Sequence, residues 1–295
     1  MDWKLAHRIA GMAAVQAHRD LEIDRTAYVP VHHALGAAGV VGMAQPMDRL
    51  FGVYYAPADS GPATLLNSRL DVITQRHTAA HELGHHRQGH STAADNDLDR
   101  SATWGDGSWP DHEKVAEAFA SWFLLPRPAV LAAVQRVAAG RPLQPTHAYL
   151  VGRALGTSYA GTVRHLHSLR LIPRGLADEW AAIPPSKLKR MLTGGRSVAG
   201  NAHVHVVMPS TVDQIFHVDA GDVLVLYIPG AQFDPSPALA PWTDFDEAGH
   251  APAMTVTSEL TATCKVTIEV PATNESHGLH LARESVRSGV DDLWP

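Results

Sequence analysis

The chain has 295 residues, a net charge of −6 and a single cysteine, Cys264. This length exceeds one typical domain of about 100–150 residues, so we expect two or three domains. One cysteine excludes an internal disulfide and a cysteine-based zinc knuckle, and it is typical of a reducing compartment. The apolar stretch 9–15 is too short to span a membrane. We therefore expect a cytoplasmic protein without a membrane partner.

Charge is distributed unevenly along the chain. Residues 1–140 carry a net charge of −3, residues 141–196 carry +7, and residues 197–295 carry −10. Net charge governs association and solubility rather than fold, so such blocks indicate parts with different partners. The sequence predicts three domains with these boundaries.

Residues 1–140 contain two regions of helical pattern followed by short strands and two further helices. The last two helices begin near Arg76 and Glu113, and Pro126 and Pro128 stop the second of them. The predicted elements are a helix over 3–17, a short helix after Pro30, strands at 51–55 and 63–67, and the two helices just described.

The second half of the chain changes from helix to strand. Residues 147–173 predict two short helices around a turn at 156–158, which is helix-turn-helix spacing. After residue 200, polar and apolar residues alternate in five segments, which favours a mainly β domain.

The sequence His81–Glu82–Leu83–Gly84–His85 predicts a metal site. On a helix the two imidazoles lie on one face, about 5–6 Å apart at Cβ, and both can bind one Zn²⁺. Glu82 lies between them and can take a proton from the water that the metal activates. The alternative interpretation is an amphipathic helix with surface histidines, because the short motif also occurs by chance.

A third ligand must come from elsewhere in the chain. His90 does not have the spacing of the extended zinc motif, which requires histidine at position 91. Glu113 and Glu117 lie four residues apart on one helical face, so Glu113 can bind the metal while Glu117 orients a ligand histidine. Glu117 or His112 stays open as the ligand instead.

Four elements in order resemble the ImmA/IrrE family of bacterial metallopeptidases. The family shows a G-x-Y element, an I-N element, the helix R-x-T-x-A-H-E-L-G-H and the helix E-x-x-A-N-x-F-A-x-x-L-L-x-P. This chain matches them at 52–54, 66–67, 76–85 and 113–126. The resemblance implies zinc ligands at His81, His85 and Glu113, with Glu82 as the base.

Two residues depart from the family pattern. Glu117 stands where the family has asparagine, and His77 stands where it has phenylalanine. The fold class that we predict is α+β: a zincin-like peptidase domain with a small sheet and the HExxH helix, a helix-turn-helix-like helical middle domain, and a mainly β, sensor-like C-terminal domain.

The predicted function is a zinc-dependent endopeptidase that cleaves one regulatory protein. The resemblance implies a helix-turn-helix transcriptional repressor as the partner, in stress response or mobile-element control. The alternative is a DNA-binding regulator with a structural metal, which would read DNA with Arg164, His165 and His167. Because the whole chain is acidic, we expect at most weak, salt-sensitive DNA binding.

Four residues are candidates for stabilising the oxyanion of the reaction: Tyr54, Tyr55, His203 and His205. A tyrosine in the core or a histidine on the surface is the simpler interpretation of each.

Overall fold

The computed structural model describes residues 1–96, 109–242 and 251–289. This part of the chain is a mixed α+β structure, as the sequence predicts, and it forms two compact units. Unit 1 comprises Met1–Leu131, Leu155–Gly161 and Val286–Pro295, and unit 2 comprises Ala132–Ala154 and Thr162–Ser285. The three-domain division with boundaries after residues 140 and 196 stays a prediction.

Helices dominate the chain up to residue 192. Those in the described residues are α1 (Trp3–Asp20), α2 (Val31–Ala37), α3 (Val72–Arg87), α4 (Asp111–Leu124), α5 (Arg127–Ala138), α6 (Pro145–Leu155), α7 (Tyr159–Ser168), α8 (Arg174–Ala181) and α9 (Pro185–Leu192). A short 3₁₀ turn spans Pro57–Asp59. No helix in these described ranges is long and apolar enough to cross a membrane.

Unit 1 contains one four-stranded sheet. Its strands are β1 (Val41–Gln45), β2 (Leu50–Tyr55), β3 (Ala63–Asn67) and β4 (Ala93–Asn96). The order across the sheet is β1-β3-β2-β4, with β1 parallel to β3 and the other pairs antiparallel. The helix α3 packs on β2 and β3. This arrangement places the predicted metal motif against the sheet.

The core of unit 1 depends on a row of small residues along α1. Ala6, Ala10, Ala14 and Ala17 recur on one helical face and are all buried. Without long side chains between them, α1 lies close to α4, which in turn packs on α3. This packing fixes α4, and with it Glu113, relative to the motif helix.

The helix α3 has a defined start and a defined end. The side chain of Asp71 accepts hydrogen bonds from the backbone N–H groups of Ile73 and Thr74, which caps the N-terminus. At the other end, Gly89 has a φ of +64°, a left-handed conformation that favours glycine. The helix therefore includes the whole predicted motif and then turns sharply.

Unit 2 contains most of α6 and α7, all of α8 and α9, and two four-stranded sheets. The strands are β5 (Val204–Val207), β6 (Ile215–Val218), β7 (Val223–Leu226), β8 (Gln232–Phe233), β9 (Leu239–Pro241), β10 (Ala253–Val256), β11 (Thr263–Val270) and β12 (Glu275–Arg283). One sheet has the order β5-β7-β10-β9 and the other β6-β12-β11-β8. Side chains from both sheets form one apolar core.

Several elements differ from the sequence-based expectation. The helix α5 begins at Arg127, directly after the proline expected to end helical structure, because proline is well tolerated in a first helical turn. The strands β1, β4, β8, β9 and β12 were not predicted. The helices α6 and α7, in contrast, flank the turn at 156–158 as the sequence predicts.

Candidate metal centre

Two helices supply the residues of the predicted site. His81, Glu82 and His85 lie on α3, and Glu113 lies in the first turn of α4. Both histidines are at most 1% exposed. Because α3 and α4 pack against each other, the carboxylate of Glu113 lies next to both imidazoles.

Three side-chain atoms converge on one point. His81 Nε2 and His85 Nε2 are 3.0 Å apart, and Glu113 Oε2 lies 3.1 Å from the first and 3.5 Å from the second. Ligand atoms about 2.0–2.1 Å from a tetrahedral Zn²⁺ lie about 3.3 Å from one another. The three atoms therefore have the spacing of one face of a tetrahedral zinc site, and within the described residues they form the one such group of histidine, cysteine or acidic side chains.

The charge states of His85 and Glu113 favour metal binding. Burial lowers the pKa of the His85 imidazole, which keeps it neutral near pH 7 and able to act as a ligand. Burial raises the pKa of Glu113, but its hydrogen bonds and charge interactions with His81 and His85 outweigh burial and hold that pKa well below the usual range. Glu113 is therefore a carboxylate at neutral pH.

Glu82 lies beneath the strand β2, where Gly52 makes room for it. Its side chain is 1% exposed. A Cβ atom on residue 52 would lie 2.5 Å from Glu82 Oε1 and 2.6 Å from Thr78 Cγ2, which is closer than such atoms approach. The glycine of the G-x-Y element is thus required for the present position of the Glu82 carboxylate.

The other ring nitrogen of each ligand histidine also has a neighbour. Glu117 Oε2 lies 3.5 Å from His81 Nδ1. His90 Nδ1 lies 3.0 Å from His85 Nδ1. Metal-binding histidines generally donate their second N–H to such an outer group, which fixes the ring and the tautomer. Glu117 lies on the outer side of His81, and its role in orienting that histidine stays a prediction.

A Schellman turn brings His90 to this position. The backbone N–H of His90 donates to His85 O, and the N–H of Gly89 donates to His86 O, each at 3.1 Å. The chain therefore folds back over the last turn of α3. The spacing of His90 excluded it as a ligand and did not predict its contact with His85. The one indication of that contact in the sequence was Gly89, four residues after the motif.

Other candidates of the sequence analysis have different neighbours. His112 Nε2 lies 3.3 Å from Glu113 Oε1 rather than with the three converging atoms. Tyr54 is 1% exposed and its hydroxyl lies 3.1 Å from His86 Nδ1, while Tyr55 is half-buried. His205 Nε2 lies 3.2 Å from Asp222 Oδ2 in unit 2. Stabilisation of an oxyanion by Tyr54, Tyr55, His203 or His205 stays a prediction.

The proposed DNA-reading face of α7 is not a continuous exposed surface. Arg164 is exposed, but His165 is only 2% exposed, and the imidazole of His167 contacts the carbonyl oxygen of Ile172 at 3.3 Å. The expectation that His165 lies on an exposed recognition helix is wrong, because the apolar face of α7 that includes Val163 and Leu166 turns inwards. Weak DNA binding stays a prediction.

Two histidines and a carboxylate from neighbouring helices, with a buried glutamate between the histidines, are typical of a metallopeptidase. Residues 49–138 match the Peptidase_M78 family model, which is described as the IrrE N-terminal-like domain. The chain therefore carries a peptidase domain of the ImmA/IrrE type, and the resemblance is confirmed. All four sequence elements lie inside the matched range. A comparison with curated proteins finds no match.

Proposed function

We propose that this protein is a zinc-dependent endopeptidase, built on a zincin-like domain, that cleaves a specific regulatory protein. The observation that carries the proposal is the convergence of His81 Nε2, His85 Nε2 and Glu113 Oε2 within 3.5 Å of one another, with Glu82 buried beside them. Two imidazole nitrogens and one carboxylate oxygen suit Zn²⁺, and three protein ligands leave a fourth position open for chemistry.

The residues of this chain have separate roles in peptide hydrolysis. A bound Zn²⁺ supplies a Lewis acid that activates water and polarises the peptide carbonyl. Glu82, held under Gly52, is the base that removes the proton of the attacking water and then delivers it to the leaving amine. His81, His85 and Glu113 hold the ion. No covalent bond between substrate and protein is needed.

The substrate that we propose is a helix-turn-helix transcriptional repressor in stress response or mobile-element control. The family resemblance supports this partner class. A selective enzyme is also physically reasonable, because a peptidase that accepted any unfolded chain would damage its own cell. The basic stretch 141–196 and the acidic stretch 197–295 are surfaces that can attract and orient a partner of opposite charge.

Metal analysis and proteolysis together test this function. The purified wild-type chain should bind one Zn²⁺, and His85→Ala and Glu113→Ala should lose most of it. Glu82→Gln should retain the metal yet lose cleavage, because the substitution removes the base but no ligand. Elemental analysis measures the metal, and mass spectrometry of repressor fragments measures the cleavage.

The same variants show which part of the proposal is wrong if a result differs from the one expected. Full retention of zinc by Glu113→Ala would transfer the ligand role to Glu117 or His112. Cleavage by Glu82→Gln at the wild-type rate would overturn the mechanism. Absence of metal from the wild-type chain after incubation with Zn²⁺ would overturn the whole proposal.

A further inference from the structure

A single buried carboxylate lies between two imidazoles on the outer side of the metal centre. Glu117 is 4% exposed, and its Oε2 atom lies 2.9 Å from His77 Nε2 and 3.5 Å from His81 Nδ1. His77 and His81 are four residues apart on α3, so both rings face α4 on the same side. The carboxylate therefore contacts both of them at once.

The chemistry of this group determines the orientation of His81. A carboxylate accepts hydrogen bonds, so Glu117 favours the tautomer of His81 in which Nδ1, 3.5 Å from Glu117 Oε2, carries the proton. The lone pair of His81 is then at Nε2, which is the atom that converges with His85 and Glu113. A neutral amide in place of Glu117 can both donate and accept, and does not impose this tautomer.

A buried carboxylate is costly unless donors satisfy it. One donor is the Nε2–H of His77, whose side chain is 27% exposed and thus lies at the edge of the core. Held there, Glu117 Oε2 cannot rotate away from His81 Nδ1 without losing its hydrogen bond to His77. His77 thereby acts on the metal centre without touching a ligand.

We propose that His77 and Glu117 form one positioning unit that holds the ligand His81 and increases the affinity of the site for metal. The inference rests on the proposed zinc site. The two residues are also the two departures from the family pattern, and the structure brings them into direct contact. A phenylalanine at position 77 could not hold a carboxylate at position 117, so the two departures depend on each other.

The affinity of the metal-free protein for Zn²⁺ tests the inference without any substrate. Competition with a chelating indicator gives the Kd of the wild type, of Glu117→Gln, of His77→Phe and of the double variant. Glu117→Gln should raise the Kd about 10–100-fold, which is typical when an outer partner of a ligand histidine is lost. His77→Phe should also raise it. The double variant should match Glu117→Gln within about twofold, because His77 acts through Glu117.

Two further variants show whether the effect is specific. His77→Gln retains an N–H donor for the carboxylate and should have a Kd close to that of the wild type. His33→Phe changes an exposed histidine of unit 1 and is the matched control for metal binding at the surface. The visible absorption of the Co²⁺-loaded protein should change for Glu117→Gln and His77→Phe but not for the control. Denaturation of the metal-free forms separates these effects from simple loss of folding.

The outcomes distinguish this inference from the proposed function. If the wild type binds zinc and both single variants bind it equally well, or if their effects simply add, the unit does not exist although the metal site does. If the wild type binds neither Zn²⁺ nor Co²⁺, the proposed function itself fails.

Discussion

Gly52 illustrates how one missing side chain determines the position of the base. The strand β2 passes over α3 so closely that any Cβ at residue 52 would overlap Glu82 Oε1 and Thr78 Cγ2. These two side chains lie four residues apart on the same face of α3, so an added methyl group would displace the Glu82 carboxylate or β2 itself. The Glu82 carboxylate thus occupies the space that a side chain at residue 52 would need.

We expect Gly52→Ala to impair cleavage more than metal binding. The added methyl group must displace Glu82 or β2, at a cost of about 1–3 kcal/mol in the free energy of unfolding. A shift of the base by about 1 Å should lower kcat/KM about 100-fold. The atoms nearest to the added methyl group belong to Glu82 and Thr78 and not to a metal ligand, so zinc should remain bound. Elemental analysis, denaturation and proteolysis measure the three effects.

The matched control for this substitution is Gly175→Ala. A Cβ at residue 175 meets no atom within 4 Å, and this glycine lies inside α8, so alanine should be tolerated or slightly stabilising. Cleavage by Gly52→Ala at the rate of Gly175→Ala would show that the close approach has no catalytic importance.

The sequence predicted some residue contacts of the candidate site but not others. The i,i+4 spacing predicted that His81 and His85 share a face, because a helix has a fixed period. The proximity of Glu113 was predicted only with alternatives, since it depends on the packing of α4 on α3. The contacts of His77 with Glu117 and of His90 with His85 depend on that packing and on a turn, which no periodicity encodes.

The end of α3 acts as a structural element in its own right. Gly89 has the left-handed conformation that allows the Schellman turn, and the turn places His90 against His85 Nδ1. His90 therefore closes the last turn of α3 and also contacts the ligand His85. A substitution that destabilises this turn should therefore also disturb the metal site.

We expect Gly89→Ala to weaken both folding and metal binding. A left-handed conformation costs an L-residue with a Cβ atom about 1–2 kcal/mol. Relief of that strain would move His90 away from His85, which should raise the Kd for zinc. Gly89→Asn is the control, because asparagine tolerates this conformation much better. An equal Kd for the wild type and Gly89→Ala would contradict the role of the turn.

Element prediction succeeded where a long pattern was present and failed where local chemistry was ambiguous. The helix α4 and the strands β2 and β3 were found because their patterns are clear, and α3 was found through the His-Glu-x-x-His motif that it carries. The helix α5 was missed because proline marks helix starts as well as ends. The strand β4, with the sequence Ala-Ala-Asp-Asn, has low β propensity and depends on pairing with β2.

At the scale of the whole molecule, we expect cleavage to be selective. Fragments should appear from a helix-turn-helix repressor, while casein stays largely intact, since surfaces outside the metal centre choose the partner. Raising the salt concentration should slow the reaction, because electrostatic attraction mainly increases the rate of encounter. Rapid digestion of casein by the wild type, absent in Glu82→Gln, would contradict selectivity while supporting a peptidase.

Unit 1 is not a continuous stretch of the chain. The buried guanidinium group of Arg76, one turn before His81, donates to the carbonyl oxygen of Gly156 at 3.1 Å. The neighbouring Gln75 exchanges two hydrogen bonds with the backbone of Arg287, at 2.9 and 2.7 Å. A chain ended after residue 140 would therefore lose partners of the motif helix, and is not a clean test of the isolated peptidase.

We expect a chain ended after residue 285 to be less stable and to bind zinc less firmly. It loses the two hydrogen bonds between Gln75 and Arg287 and the pair between Ala44 and Gly289, at 2.9 and 2.8 Å. Each such bond contributes about 0.5–1.5 kcal/mol, and ordering of the segment offsets part of it, so the free energy of unfolding should fall by about 1–3 kcal/mol. Chemical denaturation of the metal-free protein measures the change.

Arg287→Ala separates the backbone from the side chain in this contact. Gln75 binds the N–H and C=O groups of residue 287, which alanine also has, so this variant should retain both hydrogen bonds to Gln75 and the support that they give the motif helix. Gln75→Leu, in contrast, leaves both backbone groups without their partner and should resemble the shortened chain. Equal stability of the wild type and the chain ended after 285 would mean that residues 286–289 do not support the motif helix.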